Sequence, residues 1–363
     1  MPARGQGRPD GRPERARHRV HHRDDGGGRV STAPVWLSGH VFYHDDADRL
    51  LTELLLPMLT ELRQRGLTHR QFYLRHWERG PHVRVRIQTL PAHRDQVREE
   101  VERRVAEYLA KHPGATDTDP SRLTTALHRL NVLENGTGTT VLDAEPPNTL
   151  RWIDYRPELA KYGGPQGVAV AEDVFDTSSL LAGEVVQRVG EGRVRLGVAL
   201  QFLLLAARAL GLTEAQRTVF FRHYHERWRS YVPDVALIDA WAQQYDTQRD
   251  TYRRMLDDLE HGRPLGRGLG RRWEDLIADA VGRLRPLVQR REVWPAEVDP
   301  SAPPFVGLAA LVSQYLHTTN NRMNVRPQGE CFVAYLAHRT AVDRGADVPE
   351  LSGLAAGTGA EQP

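Results

Sequence analysis

The feature that most constrains the fold is a pair of short runs with alternating side chains, FYLRHW and HVRVRI, separated by ERGP. Successive side chains of a β-strand point to opposite faces, so alternation of valine and isoleucine with polar residues predicts a strand with one buried face. The Gly and Pro between the runs are typical of a turn. Residues 71–77 and 82–88 are therefore expected to form an antiparallel hairpin.

Strand-like and helix-like patterns alternate around this hairpin. The β-rich run VWLSGHVFYH is followed by leucines at helical spacing over 45–66, and 94–112 is a second amphipathic pattern. Residues 113–147, rich in Thr, Gly, Asp and Pro, predict a long connection or a strand pair, and 149–155 a further strand. Helices are expected at 167–176, 180–210, 213–229, 235–260, 271–291, 304–319 and 328–343. This order predicts an α+β fold, with a mainly antiparallel sheet packed against a helix-rich C-terminal half.

Composition limits the class of protein. Residues 1–32 contain almost no large apolar side chain and are predicted to form a disordered tail. Residues 33–345 are predicted to form a single catalytic domain, and residues 346–363 a flexible end. The 49 Lys and Arg nearly balance the 47 Asp and Glu, which argues against direct nucleic-acid binding. A lone cysteine and the lack of an apolar run of about 18 residues predict a cytoplasmic protein without membrane segments.

Three ionisable side chains share one face of the second hairpin strand. His82, Arg84 and Arg86 alternate with the apolar residues of this strand, and neighbouring arginines repel each other unless carboxylates hold them. They are predicted to form a clamp for a substrate carboxylate. The alternative is a solvated polar face whose arginines pair with acids such as Glu78. Arg75, on the first strand, is a further candidate for substrate binding.

A second polar cluster follows the apolar run GLAALV in the sequence SQYLHTTNNR. His317 and Asn321 lie one helical turn apart, and Arg322 follows. A neutral histidine beside a cationic clamp can act as an acid/base at pH 7, although a lone histidine on a helix is more often a satisfied core residue. Asn321 and Arg322 are further candidates for substrate binding, as is Tyr315, which could donate a hydrogen bond. We find no metalloprotease, nucleotide-binding or dinucleotide-binding motif, so neither a metal ion nor a cofactor is expected.

Three motifs in this order resemble the C-terminal elimination domain of lantibiotic dehydratases and the related freestanding thiopeptide-type biosynthesis proteins. They are RHWERGPHVRVRI, YRPELAKYGG with a downstream EDVF, and HTTNNR. The resemblance runs from about Trp36 to Tyr335. It implies that Arg84, Arg86 and His317 act in catalysis, and that the enzyme is a lyase. Two departures are the RHW of the first motif, where RY is common, and Pro157 and Lys161 where eliminases often carry arginines.

The resemblance implies a reaction in the biosynthesis of ribosomally made, modified peptides. A partner enzyme glutamylates Ser or Thr of a precursor peptide, and the elimination domain removes glutamate to leave a dehydroamino acid. A second branch of the family comprises pyridine synthases, which join two dehydroalanines in a formal [4+2] cycloaddition and release water and the leader peptide. A third hypothesis is a catalytically silent member of the family that binds the precursor peptide for a partner enzyme. In such a protein Arg84, Arg86 and His317 would not share a cavity. The expected partners are the precursor peptide and a glutamylating dehydratase subunit, and a second copy of the chain is a further candidate.

Overall fold

Within the described part of the chain, four strands form one antiparallel sheet. The computed structural model describes residues 32–115, 120–135, 143–189, 192–232 and 235–345, so almost all of the predicted tail and the predicted flexible end lie outside it. The strands are β1 (Val35–Phe42), β2 (Gln71–His76), β3 (His82–Thr89) and β4 (Thr149–Trp152), in the order β2-β3-β1-β4. The hairpin prediction is confirmed, with His76 paired to His82 beside the turn.

The two faces of the sheet differ in polarity. Val83, Val85 and Ile87 are buried against the first helices of the chain, as the alternation predicts. These helices are α1 (Ala47–Leu50), which continues through a π-helical turn into α2 (Leu56–Gln64), and α3 (Arg94–Lys111). The opposite face carries the alternating polar residues of β3, and Phe72 of β2 joins the core of the C-terminal helices there. The sheet therefore lies between two layers of helices.

Side chains from two helices hydrogen-bond to the outer edge of β2. The backbone N–H groups of Gln71, Tyr73 and Arg75 donate to Asp176 Oδ1, Ser179 Oγ and Asn321 Oδ1 at 2.8, 3.4 and 2.9 Å. In return, Arg322 Nε donates to the Tyr73 carbonyl (2.8 Å) and Asn321 Nδ2 to the Arg75 carbonyl (2.9 Å). Helical side chains thus satisfy backbone groups that a further strand would otherwise bind.

Helices make up most of the remaining described chain. They are α4 (Pro120–Asn135), α5 (Leu159–Tyr162), α6 (Pro165–Arg188), α7 (Arg193–Ala209), α8 (Glu214–Trp228), α9 (Val235–Glu260), α10 (Arg267–Gln289), α11 (Pro304–Arg322) and α12 (Pro327–Asp343). Local signals fix several ends: Thr213 and Gln216 form a capping box on α8, and Pro165 occupies the first turn of α6. The α+β prediction with a helix-rich second half is confirmed. Among the described helices, none has the length and apolarity to cross a membrane.

Two local predictions were wrong. The segment 113–147 contains helix α4, although its composition favoured a connection or strands. The break expected near 177–179 is absent from α6, which runs unbroken to Arg188; the chain begins a new helix after Gly192 (φ 84°). Ser178 lies within this helix, and its hydroxyl bonds to the Phe175 carbonyl one turn earlier. Only a glycine adopts the Gly192 conformation without strain.

Candidate active site

A cavity of about 1370 Å³ lies where the hairpin meets the end of α11. Its wall combines separate segments of the chain: the loop before α1, the hairpin turn, α4, α5 and the α11–α12 connection. Five of the predicted site residues line it: Arg75, His82, Arg84, His317 and Asn321. The volume is larger than that of a usual small-molecule site and suits a peptide segment.

His317 lies on α11 and is held by a carboxylate from the next helix. Its Nδ1 donates to Glu330 Oε1 at 2.8 Å, and the imidazole stacks on Trp228 with 4.3 Å between ring centroids. Glu330 is fully buried, and its second oxygen accepts from the Tyr224 hydroxyl and from Asn320 Nδ2. These contacts fix the ring and its tautomer, and they leave Nε2 as the nitrogen for proton transfer.

Arg75 projects from the end of β2 into the same cavity. Its Nε donates to the Arg322 carbonyl at 3.2 Å, and its Nη2 donates to Asp48 of α1. Asn321 binds both backbone polar groups of Arg75, so the Asn321 amide holds β2 against α11 while also lining the cavity. The guanidinium is therefore fixed from two sides.

His82 and Arg84 form a second hydrogen-bonded unit on β3. His82 Nδ1 donates to the Gly80 carbonyl at 2.8 Å, and its Nε2 accepts from Arg84 Nε at 3.1 Å. Burial, together with the charges of Arg84 and Arg86, lowers the pKa of His82 to about 4. Arg84 Nη2 also pairs with Glu78 Oε2 at 2.9 Å. In the described residues, no group of three or more His, Cys, Asp or Glu side chains is arranged to hold a metal ion.

The YGG turn between α5 and α6 brings a further cation to the cavity. Lys161 lines it beside Glu158, whose carboxylate lies 3.3 Å from Lys161 Nζ. Gly163 adopts a left-handed conformation (φ 76°), and a Cβ at that position would lie 2.5 Å from the backbone nitrogen of Trp294. Only glycine fits here, so the turn fixes the place of Lys161.

Arg86, predicted to act beside Arg84, does not line the cavity. It is 9% exposed, and its guanidinium lies over the ring of Tyr155 at 5.5 Å. Burial and the neighbouring charge of Arg84 lower its pKa to about 10. Arg84 and Arg86 thus share a strand face, as predicted, but Arg84 lines the cavity and Arg86 is buried.

Tyr315 and Arg322, both predicted to bind substrate, lie in the core outside the cavity lining. The Tyr315 ring stacks on Tyr162, and burial raises the pKa of its hydroxyl. Arg322 is fully buried; besides its bond to β2 it donates to Ser178 Oγ at 3.0 Å and lies over Phe175. The Arg of the HTTNNR motif therefore links α11 to β2 and α6.

Residues 36–342 match the model of the lantibiotic biosynthesis dehydratase C-terminal family. The chain belongs to this family. The matched residues include most of the described helices and strands and the residues that line the cavity. No curated relative matches the sequence significantly.

Solved structures share the fold of this family member. The pyridine synthase TbtD from thiomuracin biosynthesis is 24% identical, with a TM-score of 0.65 over 85% of this chain and 98% of that one. TsrL is 20% identical, with a TM-score of 0.58 over 86% and 95%. The tRNA-dependent lantibiotic dehydratase MibB from Microbispora sp. 107891 is 16% identical, with a TM-score of 0.52, over 88% of this chain and 28% of that one.

Two residues that support the site of this lantibiotic dehydratase C-terminal domain, Glu330 and Asp48, were not predicted from the sequence. Glu330 had one available signal, since it is the only acid of the otherwise largely apolar segment GECFVAYLA. A fully buried acid requires partners, and His317, Tyr224 and Asn320 supply them. Asp48 had no such signal, because it follows Asp45 and Asp46 in what reads as an ordinary acidic helix start.

Proposed function

We propose that this protein eliminates glutamate from glutamylated Ser or Thr side chains of a precursor peptide, leaving dehydroalanine or dehydrobutyrine. The observation that carries the proposal is one cavity holding both a carboxylate-supported histidine and the cations Arg75, Arg84 and Lys161. A base and an anion site in one cavity are what such an elimination requires.

The chemistry assigns one step to each part of the cavity. His317 Nε2 takes the α-proton of the modified residue, the Cα–H electrons form the Cα=Cβ bond, and the Cβ–O bond breaks. Glutamate leaves with those bonding electrons as a carboxylate, which the cations stabilise. Glu330 stabilises the imidazolium until His317 returns its proton to water.

The partners follow from this chemistry. The substrate is a precursor peptide carrying glutamate esters, so a glutamylating dehydratase subunit has to act first. The large cavity supports binding of a peptide segment. Association with a second copy of the chain stays a prediction.

Pyridine synthesis is the second candidate, favoured by one observation. The likeness to TbtD extends over 98% of that chain, whereas the likeness to MibB extends over 28% of a longer protein. In this reaction two dehydroalanines join in a formal [4+2] cycloaddition, followed by loss of water and of the leader peptide.

Incubation with two peptides separates these functions. Purified protein is given a glutamylated peptide and, separately, a bis-dehydroalanine peptide, and mass spectrometry follows both. We expect loss of glutamate from the first and no change in the second. Leader release with ring formation in the second supports pyridine synthesis instead, and two unchanged peptides that still bind support the silent, precursor-binding hypothesis.

A further inference from the structure

A buried acid behind Arg75 connects three separate segments of the chain. Asp48 lies in the first turn of α1, where its N–H donates to Asp46 Oδ1 at 2.8 Å. One carboxylate oxygen accepts from Arg75 of β2, and the other lies 2.7 Å from Arg195 Nη2 of α7. Asp48 is 8% exposed and Arg195 3% exposed, so this ionic network is largely removed from water.

The second arginine of this network is held by backbone carbonyls. Arg195 Nη1 donates to the Met323 carbonyl at 3.0 Å, and Arg195 Nη2 to the Val189 carbonyl at 3.1 Å. Burial alone would raise the pKa of Asp48, but the hydrogen bond and charge of Arg195 and the charge of Arg75 outweigh it and hold this pKa below its usual range. The carboxylate therefore stays charged and keeps both arginines in place.

Arg75 is the member of this network that reaches the cavity. Its Nε and Nη2 are used by the Arg322 carbonyl and by Asp48, and Nη1 is the donor that neither contact uses. A guanidinium held at two of its nitrogens presents the third in a fixed direction, which lowers the entropy lost when an anion binds.

We infer that Asp48 is a positioning residue for substrate binding: it orients Arg75 so that Nη1 meets a carboxylate of the glutamyl group. The inference rests on the proposed function, because it takes glutamate as the anion. Asp48 does not contact the substrate in this arrangement and acts through Arg75. Arg195 balances the second oxygen of Asp48 and prevents it from turning toward the cavity.

The test compares wild type with Asp48→Asn, Arg75→Met and the double variant. The readouts are KM and kcat for glutamylated peptide and the inhibition constant of free L-glutamate. We expect each single variant to weaken L-glutamate inhibition and raise KM roughly tenfold, which is the loss of one charge-assisted hydrogen bond. The double variant should have the same KM and the same inhibition constant as Arg75→Met alone, because Asp48 acts on the substrate only through Arg75.

Asp176→Asn is the matched control. Asp176 pairs with Arg63 and thereby joins α6 to α2, but neither residue lines the cavity. Its loss should reduce thermal stability and leave KM and the inhibition constant unchanged. If Asp48→Asn does not fold, Asp48→Glu replaces it. Its longer side chain keeps the charge but displaces the Arg75 guanidinium, so KM and the inhibition constant should still rise, and wild-type values would overturn the role of Asp48.

The outcomes are separable. Wild-type protein that leaves glutamylated peptide intact overturns the proposed function. Active wild type with Asp48→Asn or Arg75→Met indistinguishable from it overturns the role of Asp48 alone. Additive losses in the double variant would also overturn it, because they mean that Asp48 does not act through Arg75. Equal losses in Asp176→Asn would overturn it as well, because they mean that Asp48 acts only on folding.

Discussion

His82 on β3 and His317 on α11 are hydrogen-bonded histidines that line the same cavity, and they differ in their partners. Both ring nitrogens of His82 are used, by the Gly80 carbonyl and by Arg84, and the neighbouring charges are cationic. His317 gives one nitrogen to the carboxylate of Glu330. A cationic neighbour disfavours the imidazolium form of His82, and both of its ring nitrogens are used. His82 therefore orients Arg84, whereas the contact with Glu330 leaves Nε2 of His317 facing the cavity without using it.

The largest expected effect is that of replacing His317, the histidine held by Glu330. His317→Ala should lower the elimination rate by about 10²- to 10⁴-fold, the usual contribution of a positioned general base. Mass spectrometry would show glutamylated peptide accumulating unchanged. His225→Ala is the control, because His225 binds the Cys331 carbonyl and does not line the cavity. Full turnover by His317→Ala would remove this residue from the mechanism.

Replacing His82 should change how the free energy of unfolding depends on pH. The pKa of His82 is about 6.5 when unfolded and about 4 when folded, so between these values the unfolded state binds a proton that the folded state does not. The stabilisation of the folded state by neutral His82 is therefore complete above pH 6.5 and is lost as the pH falls toward 4. Between pH 7 and pH 5 wild type should lose about 2 kcal/mol more unfolding free energy than His82→Gln.

Urea unfolding at several pH values measures this difference. His69→Gln, at an exposed histidine, is the control substitution. Parallel curves for wild type and His82→Gln would mean that the environment of His82 does not disfavour its charged form.

The smallest expected effect separates the two arginines of β3. Arg84→Met should lower kcat/KM about tenfold, because Arg84 lines the cavity. Arg86→Met should leave kcat/KM close to wild type and keep or raise the thermal stability, because a buried cation over Tyr155 is exchanged for an apolar side chain. Equal losses of activity in Arg84→Met and Arg86→Met would support the sequence-based prediction that both arginines bind the substrate carboxylate.

The sequence predicted what depends on neighbouring residues. The alternation on β3 gave the hairpin, its buried face and the shared face of Arg84 and Arg86, because strand geometry alone decides these. It could not separate the two arginines, since the contact that buries Arg86 comes from Tyr155, about 70 residues later. The pairing of Glu330 with His317 likewise depends on how α12 packs beside α11. Contacts between distant segments are absent from any local pattern.

The hydrogen bonds along the outer edge of β2 have a consequence for self-association. An open sheet edge invites another strand to add to it, and with it aggregation. Gln71, Tyr73 and Arg75 have their outward N–H groups bound by α6 and α11, so this edge offers no template for an incoming chain. The Asn-Arg pair that ends α11 therefore blocks strand addition at the part of this edge that lies beside the cavity.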